Sequence, residues 1–235
     1  MAHPDLIELL RRKGQRGLEK WRQMREYKEA GGVIDLVQAD LPGFDFSETD
    51  LTDVNFTRAN LTGCDFSLST VSSRTKLAGA HLEKARFEGA DLSHVDLNHA
   101  HLDGAMLIGA NLSHATFDNA TLMGARLGPA KIFCTSFIRT NLRGANFDNA
   151  LLELTDMRYA KLQGATFKDA TLKDMKFGRA KIEAATFKGV KQMTGCLTTK
   201  PTLALLVDGL VYSSSLGEIV PKQPLPKGMQ PGRLR

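Results

Sequence analysis

Six histidines and three cysteines are the residues of this 235-residue chain best suited to bind a transition metal. Imidazole and thiolate groups are competent ligands for such ions. Two series recur at twenty-residue intervals, namely His81 and His101, with His99 beside them, and His94, His114 and Cys134. A structural zinc site needs four close ligands, and neither series supplies a clear set. The sequence therefore predicts no metal site and no cofactor, and we interpret the histidines as surface residues.

The element that positions these side chains is a five-residue repeat. Every fifth residue is apolar from Leu36 to Val71, and after one inserted residue in Ser72–Lys76 the period resumes at Leu77 and runs to Phe187. At 42% apolar content, a run of 31 such positions has a chance probability of about 10⁻¹². Five residues advance an α-helix by about 500°, and in a flat strand they place successive centres on opposite faces. Neither standard element fits this period.

The residues around each apolar centre favour a solenoid. Two places before the centre the residue is small, Ala in 19 of the 31 repeats and Thr in five, and the residue between them is mostly polar. A strand-like trio that turns a corner every five residues places the small residue and the centre inside and the polar residue outside. Coils stacked about 4.8 Å apart would pair as parallel strands do. The sequence therefore predicts an all-β solenoid filled with Leu, Phe and Ala.

Individual repeats carry a family resemblance. Ala59–Gly63 (ANLTG), Ala110–His114 (ANLSH) and Ala145–Asn149 (ANFDN) resemble the A(D/N)LXX motif of pentapeptide-repeat proteins. The resemblance covers Ile34–Gly189 and implies a right-handed quadrilateral β-helix with four repeats per coil. At that number the repeats fill about eight coils and a rod of about 37 Å. The period alone does not exclude three sides, and the inserted residue near Ser72–Lys76 is expected to bulge one corner without ending the stack.

The first segment, residues 1–33, is predicted to form a short α-helical cap. Pro4–Ala30 has a helical pattern with one apolar stripe that includes Trp21, the only tryptophan of the chain. A bare terminal coil would expose apolar core and unpaired backbone, so a lid on the first coil is expected. Bacterial pentapeptide-repeat proteins look similar in this region, which precedes the repeat domain at 34–189.

The C-terminal segment divides into a cap or hairpin, 190–220, and a tail, 221–235, that is predicted to be disordered. Leu203–Val207 and Leu210–Ser213 are predicted to pair as a β-hairpin, because Asp208-Gly209 between them suits a tight type I′ turn. Such a hairpin could cap the last coil or pair with a second copy. The chain is thus expected to be a monomer or a homodimer through this segment.

Charge is distributed unevenly along the repeats. The net charge of the chain is +5, yet Leu36–Ala130 holds six basic and twelve acidic residues whereas Lys131–Lys191 holds twelve basic and six acidic ones. The rod is therefore a lengthwise electrical dipole. Such a dipole can orient a charged partner or let rods associate head to tail, with a strength that falls as salt rises.

Four-sided stacking gathers basic, histidine and aromatic residues along one corner, with no carboxylate among them. This basic stripe consists of Arg58, His81, His99, His101, Arg139, Tyr159, Lys161, Arg179 and Lys181. A stripe of this composition can bind a phosphate backbone or an acidic protein. The alternative interpretation is a corner of solvated polar residues without a partner.

Extra hydrophobic residues fall at positions that should face outward. This apolar patch consists of Phe133, Ile138, Leu151 and Leu154, with Cys134 among them, and lies within two adjacent coils. Exposed apolar clusters often mark protein contacts, although scattered ones do not. Cys64, by contrast, occupies an inward small position and is expected in the core.

Catalysis has little support in the sequence, which lacks a P-loop, a dinucleotide fingerprint, a nucleophile elbow and a metalloprotease helix. Ser93, His94 and Asp96 lie close together, but side chains on a convex rod do not converge as a triad requires. We therefore expect a non-enzymatic interaction and scaffold module that is cytoplasmic and has no membrane-spanning helix. Its expected partner is a protein of unknown identity.

Two alternative functions remain open. The resemblance suggests a DNA mimic that protects gyrase from quinolone drugs, although the positive net charge departs from that pattern. The basic C-terminal half suggests a nucleic-acid binder, although the only aromatic residue interleaved with the cations is Tyr159.

Overall fold

The computed structural model describes residues 3–14, 16–24, 27–28, 31–197, 210–213 and 218–221. Within these ranges two short helices precede the repeats, α1 (Pro4–Lys13) and α2 (Arg16–Arg22). The strands are β1 (Ile34–Asp35), β2 (Val54–Asn55), β3 (Lys131–Phe133), β4 (Leu151–Glu153), β5 (Thr171–Lys173), β6 (Gln192–Thr194), β7 (Cys196–Leu197), β8 (Leu210–Ser213) and β9 (Glu218–Pro221). None of the described helices is long and apolar enough to cross a membrane.

Backbone pairing makes the solenoid four-sided. Strands β3, β4, β5 and β6 pair side by side in parallel, and Lys131 of β3 lies opposite Leu151 of β4. Isolated bridges repeat the same twenty-residue offset on the other sides, as between Asn141 and Lys161. Twenty residues are four pentapeptides per turn. This register decides between three and four sides, which the period alone left open.

The interior is built from the predicted centres. Leu112 and Phe147 are fully buried, as expected. Phenylalanine rings stack between successive coils, with centroids 4.8 Å apart for Phe147 and Phe167, 4.7 Å for Phe167 and Phe187 and 4.9 Å for Phe117 and Phe137. The phenylalanine centres twenty residues apart therefore form two columns inside the rod. Such stacked rings contribute energy beyond the apolar area that they bury.

Threonine replaces alanine at several small positions without leaving a buried hydroxyl unsatisfied. The Oγ1 of Thr135 donates to the carbonyl oxygen of Leu112 at 2.8 Å, and the Oγ1 of Thr140 donates to that of Phe117 at 2.7 Å. Each acceptor belongs to the preceding coil. Because a hydrogen-bonded hydroxyl carries little burial cost, both residue types fit the same inward position.

The polar residue before each centre stabilises the corner that follows. The Oδ1 of Asp45 accepts a hydrogen bond from the backbone N–H of Ser47 at 2.9 Å, and that of Asn111 accepts one from Ser113 at 3.2 Å. Asx turns of this kind satisfy backbone donors locally. Hydrogen bonds from the Ser47 hydroxyl and N–H lower the pKa of Asp45. The Asp or Asn of the repeat motif is thus a structural residue.

Two inserted residues shift the register without ending the stack. The offset is twenty residues between Asp50 and Thr70 but 21 between Asn55 and Lys76, so the bulge predicted at Ser72–Lys76 is confirmed. A second shift places Gln192 of β6 opposite Thr171 of β5.

The parallel stack consequently runs past Gly189. Met193 of β6 is buried, Cys196 fills a small inward position, and Leu197 bridges Lys176 of the coil below. The repeat therefore ends later than the periodicity indicates. One extra residue before Met193 displaces it from the five-residue period, but the strand still pairs and the side chain still packs inside.

Three C-terminal strands pair side by side in the order β7, β9, β8. Strand β8 (Leu210–Ser213) is antiparallel to β9 (Glu218–Pro221), which also pairs with β7. Leu203–Val207 and Asp208-Gly209, the other half of the predicted hairpin, lie outside the described residues. Pro221 closes β9, and the rest of the predicted tail also lies outside them.

At the other end, the helices contact the first coil. Leu6 and Leu10 of α1 and Leu18 and Trp21 of α2 belong to the same buried cluster as the repeat centres. The guanidinium of Arg22 donates to the carbonyl oxygens of Asp50 at 2.8 Å and Thr52 at 2.9 Å.

Candidate functional site

The corners hold their second residue in the left-handed backbone region, where its side chain points outward. At the corner of the basic stripe, φ is 57° at Arg58, 61° at His99, 58° at Arg139, 62° at Tyr159 and 59° at Arg179. Side chains larger than glycine tolerate this conformation at a cost of about 1 kcal/mol each. These five residues therefore form one column along the rod, in which Gly79 and Asn119 occupy the other two coils between Arg58 and Arg179.

A second column lies beside the first and completes the basic stripe. Backbone bridges place His81 next to His101 and Lys161 next to Lys181. The imidazole rings of His81 and His101 stack with centroids 4.9 Å apart. The structure thus brings all nine predicted residues to one corner, all exposed except Lys161, which is half-buried.

The basic stripe contains an ordered aromatic and cationic ladder near its C-terminal end. The guanidinium carbon of Arg139, one coil before Tyr159, lies 5.3 Å from the centroid of the Tyr159 ring. The guanidinium carbon of Arg179, one coil after, lies 5.7 Å from the same centroid. Cation–π contacts of this kind hold both cations in place. Tyr159 is 41% exposed, so the ladder presents two oriented guanidinium groups at the surface.

The exposed carboxylates and the cations of the basic stripe differ in the contacts that they make. Asp91 and Asp96 each accept a backbone N–H two residues on, and Asp103 accepts the N–H of Met123 in the next coil. In the part of the chain that the structure describes, no ion pair with Asp or Glu involves Arg139 or Lys161. These three acids thus have structural roles in the turns.

The histidines outside the basic stripe also stack. His94 and His114 lie with ring centroids 4.6 Å apart, and the ring of Phe133 meets that of His114 edge-on at 5.4 Å. Over the described ranges, no three or more His, Cys, Asp or Glu side chains come together in a geometry that could hold a metal ion. The twenty-residue interval therefore produces a ring stack on the surface.

The apolar patch lies on the side formed by β3 and β4 and on the next corner. Phe133 is 38% exposed, Leu151 48% and Leu154 46%, while Ile138 and Cys134 are half-buried. Leu151 pairs with Lys131 and Phe133 with Glu153 in the neighbouring strand, so charged side chains alternate with the apolar ones on this side. All four predicted residues face outward in adjacent coils.

Within the predicted repeat domain, 34–189, sequence analysis missed two other exposed hydrophobic residues. Leu68 is 63% exposed and Met123 41% exposed, each at an outward position of its repeat. The rule that identified the apolar patch, an apolar residue away from the inward positions, would have found both. They lie apart from the patch and from each other.

Thiol reactivity should distinguish the three cysteines. Burial raises the pKa of the Cys64 thiol to about 12, and its Sγ donates to the Leu41 carbonyl oxygen at 3.0 Å. Cys196 is also buried, whereas Cys134 is partly exposed. Because the reactive species is the thiolate, native protein at pH 8 should take up one equivalent of iodoacetamide, at Cys134. Peptide mass spectrometry measures this, and rapid native labelling of Cys64 would contradict it, with full labelling in denaturant as the control.

The sequence profile of pentapeptide repeats matches this chain in eight copies, over residues 34–67, 73–107, 90–128 and 135–174. These ranges cover more than half of the chain. The chain belongs to the pentapeptide repeat family. Members of this family fold as right-handed quadrilateral β-helices, and the four-sided parallel register of this chain agrees with that architecture.

Solved pentapeptide-repeat structures resemble this family member at low sequence identity. QnrB1, a plasmid-mediated fluoroquinolone resistance protein, is 18% identical over 74% of this chain and 87% of its own, with a TM-score of 0.62. HetL from the cyanobacterium Nostoc sp. strain PCC 7120, a pentapeptide repeat protein involved in heterocyst differentiation regulation, is 21% identical over 74% of this chain and 94% of its own, with a TM-score of 0.40. The similarity to QnrB1 supports the fold. Among curated protein sequences, none matches this pentapeptide-repeat chain.

Proposed function

We propose that this pentapeptide-repeat chain is a non-enzymatic interaction module, a rigid rod of about eight coils that binds an acidic surface of a protein partner through the basic stripe. The observation that supports this function is the ladder of Arg139, Tyr159 and Arg179, with Lys161 and Lys181 beside it. Guanidinium groups held in place lose less side-chain entropy when they bind carboxylates. The rest of the rod supplies a stiff support for them.

Geometry favours a protein partner over a nucleic acid. Both faces of the Tyr159 ring are occupied by guanidinium groups, so the ring offers no platform on which a base can stack. The corner is convex, and a long polyanion that followed it would meet the acidic half of the rod. A compact acidic surface has to contact only the C-terminal coils.

A DNA-mimic function has less support. QnrB1 is a fluoroquinolone resistance protein, but it shares only 18% identity with this chain. A DNA mimic needs acids along the rod, but the acids here predominate only in the N-terminal half, whereas Lys131–Lys191 holds twelve basic and six acidic residues. Protection of gyrase supercoiling from a quinolone by the purified chain would establish the mimic instead.

Charge reversal along the basic stripe tests the proposal. The variant R139E/K161E/R179E should bind a poly-glutamate peptide about 30-fold more weakly than the wild type in 50 mM salt, because each exposed ion pair contributes up to about 1 kcal/mol. The matched control R126E/K131E/R143E makes the same change in net charge at residues outside the basic stripe. Isothermal titration measures both. Equal losses in the two variants would show that only net charge matters, and tighter binding to single-stranded DNA than to poly-glutamate would favour the nucleic-acid function.

We further propose that α1 and α2 cap the first coil and that the protein is cytoplasmic. Trp21 is the only tryptophan and is 4% exposed, so its fluorescence reports on the docked helices. Leu18→Lys places a charge in the buried contact and should shift the emission to longer wavelength while far-ultraviolet circular dichroism of the repeats persists. An emission maximum that Leu18→Lys leaves unchanged would contradict the proposal that the helices cap the first coil.

A further inference from the structure

The apolar patch has charged neighbours whose sign changes along the rod. Towards the N-terminus, the same side and the following side carry the exposed carboxylates of Asp91 and Asp96. Towards the C-terminus they carry Lys173, which pairs with Glu153 at 2.6 Å, and Lys176, which lies beside Asp156. The Asp156 carboxylate pairs with Arg158 at 2.7 Å. The patch thus lies between a negative and a positive segment of one surface.

We infer that the apolar patch and its charged flanks bind a second copy of this chain, with the two rods side by side and antiparallel. A parallel copy would place acidic coils against acidic coils. An antiparallel copy places Lys173 and Lys176 of one rod near Asp91 and Asp96 of the other, and a two-fold axis at the coil of Phe133, midway between them, makes both contacts at once. Charge complementarity therefore favours a second copy of the chain as the partner and the antiparallel direction for the two rods.

The spacing of the coils supports the same arrangement. Two identical rods share the same rise of about 4.8 Å per coil, so side chains that interdigitate at one level also interdigitate at the next. Stable dimers bury about 800 Å² on each partner, more than Phe133, Leu151 and Leu154 supply alone. The charged columns must therefore contribute, which makes the association sensitive to salt.

Sedimentation velocity on the full chain tests the inference. The wild type at 50 µM in 50 mM salt should sediment as a dimer, and 500 mM salt should raise its dissociation constant at least tenfold. Leu151→Lys should sediment as a monomer, because it places an unpaired charge in the apolar part of the interface, one coil from the two-fold axis. Met123→Lys is the matched control, since Met123 is exposed to a similar extent at the diagonally opposite corner, and it should remain dimeric. A monomeric wild type, or a dimer that Leu151→Lys leaves intact, would overturn the inference.

Cross-linking distinguishes this dimer from one formed through the C-terminal segment and tests its direction. In a Cys134→Ser background, Ser93→Cys mixed with Lys173→Cys should give a covalent dimer with a short bismaleimide, whereas Ser93→Cys alone should not. Self-cross-linking of Ser93→Cys would show parallel rods. If removal of residues 198–235 abolished the dimer and Leu151→Lys did not, the dimer contact would belong to the C-terminal segment. That outcome would overturn this inference without affecting the function proposed for the basic stripe.

Discussion

Replacing Phe147 with Ala should lower the free energy of unfolding by about 4 kcal/mol. The ring is fully buried, stacks on Phe167 at 4.8 Å and meets Phe137 edge-on at 6.3 Å. The variant loses the transfer energy of the ring, leaves a cavity in a tube whose walls are held by backbone pairing, and removes two aromatic contacts of about 0.5–1.5 kcal/mol each. Because the walls cannot collapse inward, little of the cavity is recovered.

Urea denaturation followed by circular dichroism measures this loss, with Met123→Ala as the exposed control that should change stability by less than about 0.5 kcal/mol. Each coil of a solenoid contacts only its neighbours, so the weakened coil is expected to separate the unfolding of the two ends into two transitions. A loss near 1 kcal/mol with a single transition would contradict the packing described for this column.

The sequence predicted the inward residues because the period acts on every repeat. Leu112 and Phe147 are interchangeable members of one pattern, and the pattern assigns their direction without knowledge of the cross-section. The number of sides is a long-range property, since it depends on which residue pairs with Asn141, and only the backbone register shows that this is Lys161. Met193 illustrates the limit, because one extra residue before it hides an inward side chain from the period while the strand still pairs.

The sequence was sufficient to predict which residues form the basic stripe but not the contacts that they make with one another. Columns twenty residues apart gather Arg139, Tyr159 and Arg179 at one corner, yet the cation–π contacts depend on the rotamers of those side chains. The structural role of the carboxylates was also hidden, because an Asp in an Asx turn and an Asp free for a partner look alike in sequence. The structure shows that such a carboxylate has one oxygen bound to a backbone N–H while the residue stays exposed, as at Asp91 and Asp96.

Gly128→Ala is expected to cost about 3 kcal/mol or more, at or above the usual range for overpacking. A Cβ built at Gly128 would overlap the carbonyl oxygen of Asp148 in the next coil and would lie 3.1 Å from the Asp148 amide nitrogen. Both atoms belong to backbone, so neither can rotate away, and two coils must separate to admit one methyl group. The φ angle of Gly128 is not positive, and the need for glycine here arises from close approach alone.

Gly124 is the matched control for that substitution. Its φ is 64°, but nothing lies within 4 Å of a Cβ built there, and Lys84 and Ala184 occupy equivalent corners with φ of 58° and 57°. Gly124→Ala should therefore cost only about 1 kcal/mol, the strain of the left-handed conformation. Urea denaturation of the two variants side by side measures the difference. Sequence alone suggests the reverse order, because a glycine at a corner with positive φ is expected to be the harder one to replace. Equal stability of the two variants would show that the coils at Gly128 separate more easily than their hydrogen bonding implies.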